Sequence, residues 1–156
     1  MTRVRTLCAV MLVLGAVPAL GQAPFVAGVR QLAFGVVLPG IPRSVLRTDP
    51  VNSGQFNVGT GGQQGQSIQL TFTLPAVLVG PAAATMPIAF GGTSAGYSAS
   101  GSIASQVGFD PRVPFVTQAG QVATSAVFLG GTVNPNPSQR AGSYTATVTL
   151  SVVFLQ

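Results

Sequence analysis

A chain of 156 residues suits one domain, and a hydrophobic share of 47% is enough for a core. Charged residues make up only 6%, Asp+Glu number 2 and histidine is absent, so most acid–base and imidazole–metal chemistry lacks its residues. The formal charge of +5 does not indicate a nucleic-acid partner: Arg3 and Arg5 lie in a leader, and Arg30, Arg43, Arg47, Arg112 and Arg140 are scattered, not clustered as phosphate tracking requires.

Residues 1–21 read as a secretory signal, with cleavage expected between 19 and 23. Arg3 and Arg5 supply the positive start, and the apolar run from Leu7 to Val17 is short of the about 20 residues that span a bilayer. The expectation is export to the periplasm, cell surface or medium, with no transmembrane span in the mature protein. Cys8 would leave with the leader. The mature domain would then be held by its core and strand ladders, without disulfides.

Residues 22–31 read as a short lead-in, in which Phe25, Ala27 and Val29 alternate. The domain proper is expected over 32–156. Residues 31–38 read as its first core strand, stopped by Pro39 and Gly40. Residues 44–47 and 54–58 follow as strands around a turn at Thr48, Asp49 and Pro50. The glycine-rich stretch 59–65 has Gln64 where a phosphate-binding G-x-G-x-x-G loop needs its last glycine, so it reads as a flexible hairpin connection.

Ile68, Leu70, Phe72 and Leu74 alternate with polar residues, the mark of a half-buried strand. Residues 76–79 and 86–90 are shorter, and Pro87 suggests a sheet edge. The pattern weakens over 91–121, where 97–100 and 113–116 are candidate strands. It recovers at 121–129 and 130–133, before a turn at Asn134 to Pro137. The last stretch, 141–154, alternates most strictly. Tyr144, Ala146, Val148, Leu150, Val152 and Phe154 share one parity; Ser143, Thr145, Thr147, Thr149 and Ser151 share the other. It predicts a single strand of about 40 Å with one dry and one hydroxyl-covered face. Short strands with regular turn signals predict an all-β, antiparallel β-sandwich. Two Tyr and no Trp make thin aromatic girdles for a membrane barrel.

The two carboxylates, Asp49 and Asp110, each precede a proline, which reads as turn initiation. No catalytic residue, metal ligand or cofactor site is expected.

The landmarks also fall in a familiar order: Leu32-Ala33-Phe34-Gly35, then Phe72-Thr73-Leu74-Pro75, then 86–90, then Gly130-Gly131-Thr132, then Ala141-Gly142-Ser143-Tyr144-Thr145 and the alternating final strand. This order resembles the exported bacterial domain of unknown function 4402, a relative of the spore coat U and pilin-like β-sandwich proteins. The resemblance covers roughly Leu32 to Phe154; Phe154 stands where that family tends to end on Tyr. It implies an immunoglobulin-like (pilin-like) sandwich and a part in surface fibres or coats, with no catalytic residues to carry over. Phe34, Gly35, Phe72, Leu74, Gly130, Gly131, Gly142, Tyr144, Val148, Leu150 and Phe154 are the residues expected to serve structure and assembly.

The function expected is a non-enzymatic structural subunit that associates with copies of itself or related subunits by strand addition. The final strand would supply the edge and the lead-in the donor, with a periplasmic chaperone and usher as further partners. The alternative is a periplasmic or cell-surface module for a small ligand or carbohydrate, with its site in 91–121 and Tyr97 as a stacking platform.

Overall fold

The computed structural model describes residues 22–120 and 124–156. The leader, its cleavage and Cys8 lie outside them. Among the described residues no helix is long and apolar enough to cross a membrane.

The chain is nearly all β. Its strands are β1 (Phe25–Arg30), β2 (Arg43–Val45), β3 (Gly54–Gly59), β4 (Ser67–Thr73), β5 (Val77–Val79), β6 (Thr85–Ala89), β7 (Ala95–Ser98), β8 (Val107–Phe109), β9 (Phe115–Gln118), β10 (Thr124–Leu129), β11 (Gly131–Val133) and β12 (Thr149–Phe154). Single 3-10 turns stand at Pro81–Ala83 and Ile103–Ser105. The strands form a sheet in the order β1-β3-β10-β7-β8, a second in the order β2-β11-β6-β5 and a third in the order β12-β4-β9. Every named pairing is antiparallel.

One apolar core joins the sheets. Val58, Val127 and Leu129 of the first sheet, Ile68, Leu70 and Leu150 of the third and Met86, Ile88 and Val133 of the second are all buried in it. A row of phenylalanines crosses it from sheet to sheet. Phe56 meets Phe72 edge-on at 5.8 Å, Phe72 stacks near Phe109 at 6.3 Å, and Phe109 stacks on Phe115 at 4.2 Å. Such pairs add about 0.5–1.5 kcal/mol each beyond the area they bury.

Four expectations are corrected. The final strand is shorter than its pattern suggested: only Thr149–Phe154 pair with β4, and before them Thr145 alone bridges to Val79. Residues 31–38 form no strand; the first strand lies earlier, at Phe25–Arg30, so the lead-in is part of the first sheet. Along it Phe25 and Val29 are more than half exposed while Val26 packs on the core. Residues 59–65 are not a hairpin, because β3 and β4 belong to different sheets and the stretch crosses between them.

Pro87 sits in β6, which is paired on both sides and is no edge. It lies opposite Asn134, one residue past the end of β11, and accepts from the Asn134 N–H at 2.9 Å. Its missing donor therefore falls at the frayed end of that ladder, where little is lost.

Candidate strand-accepting cleft

A cleft of about 1130 Å³ opens into the core between residues 28–39 on one side and 139–148 on the other. Its floor is apolar, formed by Phe56, Leu78, Met86, Ile88, Leu129 and Val133. Its walls include the two stretches, 31–38 and 141–148, that read as strand in the sequence; of these residues only Thr145 makes a strand-type pairing among the described residues. Residues 34–37 make no backbone hydrogen bond to any described residue, nor do 146–148. Thr145 gives both of its backbone groups to Val79, at 2.8 and 3.0 Å. In an extended chain the groups of its neighbours point the opposite way, off β5.

The edges nearest the cleft are also open. β1 pairs with β3 alone and β12 with β4 alone among the described residues, and the two strands approach each other. Along the second wall Val148 and Tyr144 stay half-buried between exposed neighbours; along the first, Leu32 is half-buried and Phe34 buried, and the parity then breaks, with Val37 and not Val36 packed on the core. Val36 is 84% exposed.

Five of the expected assembly residues, Phe34, Gly35, Gly142, Tyr144 and Val148, line this cleft. The other six do not. Phe72, Leu74, Leu150 and Phe154 pack in or against the core, and Gly130 and Gly131 stand where β10 passes into β11 and so changes sheet. Tyr144 is fixed at the entry to the final strand. Its hydroxyl donates to the Arg140 carbonyl at 2.7 Å and accepts from Gln139 Nε2 at 2.6 Å. Gly142 makes the bend before it with φ +146, and a Cβ there would run into the Pro81 ring. Met86, Ile88, Leu129 and Val133 were not singled out in the sequence, because a cleft floor has the same composition as a core.

The alternative site in 91–121 loses its platform. Tyr97 is 4% exposed and its hydroxyl donates to the Gln118 carbonyl at 3.0 Å, so its ring is core and has no face for a sugar.

The two aspartates serve turns. Asp49 accepts from the N–H groups of Val51 and Asn52 at 2.8 and 2.9 Å, and from the Asn52 amide at 2.9 Å. Those bonds, the Asn52 side chain first, hold its pKa below the ordinary value. Asp110 accepts from Arg112 N–H, Nε and Nη2 at 2.9, 2.9 and 2.7 Å, and this side-chain clamp lowers its pKa to about 2. Among the described residues no group of three or more potential metal ligands occurs.

These shifts set a pH response. Both carboxylates are favoured as anions in the fold, so their stabilisation is present above the unfolded value near 3.8 and fades as pH falls towards about 2. The described residues carry no His, Glu, Lys or Cys side chain to titrate nearer neutrality. The melting temperature is expected to stay flat from about pH 5 to about pH 8 and to fall only below about pH 4. Calorimetry across that range checks it; a midpoint near pH 6 would contradict the assignment.

Neither a family model nor a curated protein matches the chain.

Proposed function

We propose that this protein is an exported, non-enzymatic structural subunit of a surface fibre or coat, and that its cleft accepts an extended strand from another subunit. One observation carries the reading: the two stretches with the strongest unsatisfied strand pattern, 31–38 and 141–148, are the opposite walls of one apolar cleft. An extended segment between them would give their free backbone groups partners and cover the core floor.

The sheet order supports an immunoglobulin-like sandwich short of its last strand. Such a sandwich has sheets A-B-E-D and C-F-G. Taken in chain order as A, B, C, D, E and F, the strands β1, β3, β4, β7, β10 and β12 match A-B-E-D as β1-β3-β10-β7 and F-C as β12-β4. The place of G, beside F, is open. Tyr144 adds to this, since a tyrosine bonded to the backbone a few residues upstream marks the corner entering strand F. The sandwich also accords with the resemblance to the pilin-like proteins, and export with the leader.

The candidate donor within this chain, residues 25–29, is already taken up as β1. The donor is accordingly sought on another subunit. A small-ligand module is disfavoured by the cleft itself, which at about 1130 Å³ exceeds the usual about 300–1,000 Å³ of ligand pockets and is bordered by unpaired backbone.

The test is a synthetic extended peptide alternating Val or Ile with Thr, added to the purified protein. At a hundredfold excess over its Kd it should stabilise the fold by about 2.7 kcal/mol, raising the melting temperature by about 10 °C. The amides of residues 34–37 and 146–148 should exchange fast without the peptide and slowly with it. Protection already complete in the free monomer would sink the proposal.

A further inference from the structure

The charges on the cleft wall say which kind of strand it takes, given the strand-accepting reading above. Its lining includes two cations, Arg30 and Arg140, and no carboxylate. Arg30 is occupied: its Nε donates to the Ser53 carbonyl at 2.7 Å and its Nη2 to Ser53 Oγ at 2.9 Å, within the field of Asp49. Arg140 is exposed, and its guanidinium has no hydrogen bond or ion pair among the described residues. The chain has no acid to give it. Its only two, Asp49 and Asp110, are held in turns by Asn52 and Arg112.

We infer that the cleft takes an acid-bearing strand of a different protein, its Asp or Glu set against Arg140. A second copy of this chain fits poorly. Every residue before Pro39 is neutral or an arginine, so a donor drawn from the N-terminal part of another copy would bring Arg30 towards Arg140 with no carboxylate. Like charges at that distance repel, and repulsion of this kind selects among partners that satisfy the apolar floor equally well.

Three peptides sharing one alternating apolar core test it. One carries Glu at the position nearest Arg140, one Gln and one Lys; a fourth peptide reproduces residues 22–30. For a single exposed ion pair, Glu over Gln is expected to be worth about two- to fivefold in affinity, shrinking as salt rises from 20 to 500 mM. In Arg140→Glu the order should invert, with the Lys peptide tightest; this variant needs no change to the core and keeps the Arg140 carbonyl that Tyr144 uses. Light scattering should find the protein alone monomeric.

Equal affinity for the Glu, Gln and Lys peptides overturns the charge selection and leaves strand acceptance standing. Preferred binding of the 22–30 peptide, or self-association lost on blocking the cleft with it, overturns the choice of a foreign strand. Failure of every peptide, or tighter binding of laurate than of any of them, overturns both.

Discussion

Leu150→Asp is expected to yield no folded protein, whereas Thr149→Asp, one residue away, is expected to fold. Leu150 is 6% exposed and faces the core opposite Phe72 of β4. Among the described residues the buried polar side chains are Ser53, Thr60, Ser98 and Ser125, none of them a cation that could pair with a carboxylate. An unpaired buried charge costs several kcal/mol, a large share of the roughly 5–15 kcal/mol that holds a domain together. Thr149 is exposed and opposite Thr73, where a polar change stays within about 0.5 kcal/mol. Val148→Asp gives a third outcome. Val148 has the core parity but stands half-buried on the cleft wall, so its variant should fold and fail to take the donor peptide. Circular dichroism and thermal melts read the first two; calorimetric titration reads the third. Equal damage from Leu150→Asp and Thr149→Asp would mean that both faces of β12 are buried.

Gly130→Ala is expected to lower the melting temperature by about 10 °C, while Gly28→Ala leaves it unchanged or slightly raised. Gly130 is the residue at which one continuous run leaves the first sheet as β10 and enters the second as β11. Its N–H is fixed by the Ser94 carbonyl at 2.8 Å. A Cβ there would meet the backbone of the neighbouring segment: the Val45 carbonyl oxygen, the Leu46 carbonyl carbon at 2.9 Å and the Arg47 nitrogen at 2.6 Å. Those are backbone atoms of β2 and of the turn that follows it, which cannot swing aside as a side-chain end could, so overpacking of the order of 3 kcal/mol is expected. Gly28 has nothing within 4 Å of its Cβ position. Alanine there only restricts the unfolded chain, worth about 0.5–1 kcal/mol in favour of the fold. Paired calorimetric scans decide it; comparable losses in both would show that glycine flexibility matters here and not the close approach.

Much of the strand map is legible in the residues. β4 follows the alternation Ile68, Leu70, Phe72, Leu74, and β3, β10 and β11 fall where their apolar runs place them. The strands that escape are those whose alternation is broken. β1 contains Gly28 and Arg30, and β8 is three residues between loops. The phenylalanine row was hidden for a different reason: its members come from four strands in two different sheets, and periodicity says only that each faces inward.

The residues alone determined an all-β chain with one dry and one hydroxyl-covered face on its last stretch, and turns at both aspartates. These are local properties, set by side-chain parity and by the bonds an Asp makes to the next few backbone groups. What lies beside each strand was decided only by the tertiary structure. Residues 31–38 and 141–148 have the pattern of strands, but a strand needs a partner's backbone as well as a pattern. The fold carries these two stretches to opposite walls of the same cleft and puts no strand between them. Pairing is a relation between distant segments, and so the site exists only once the sheets have assembled.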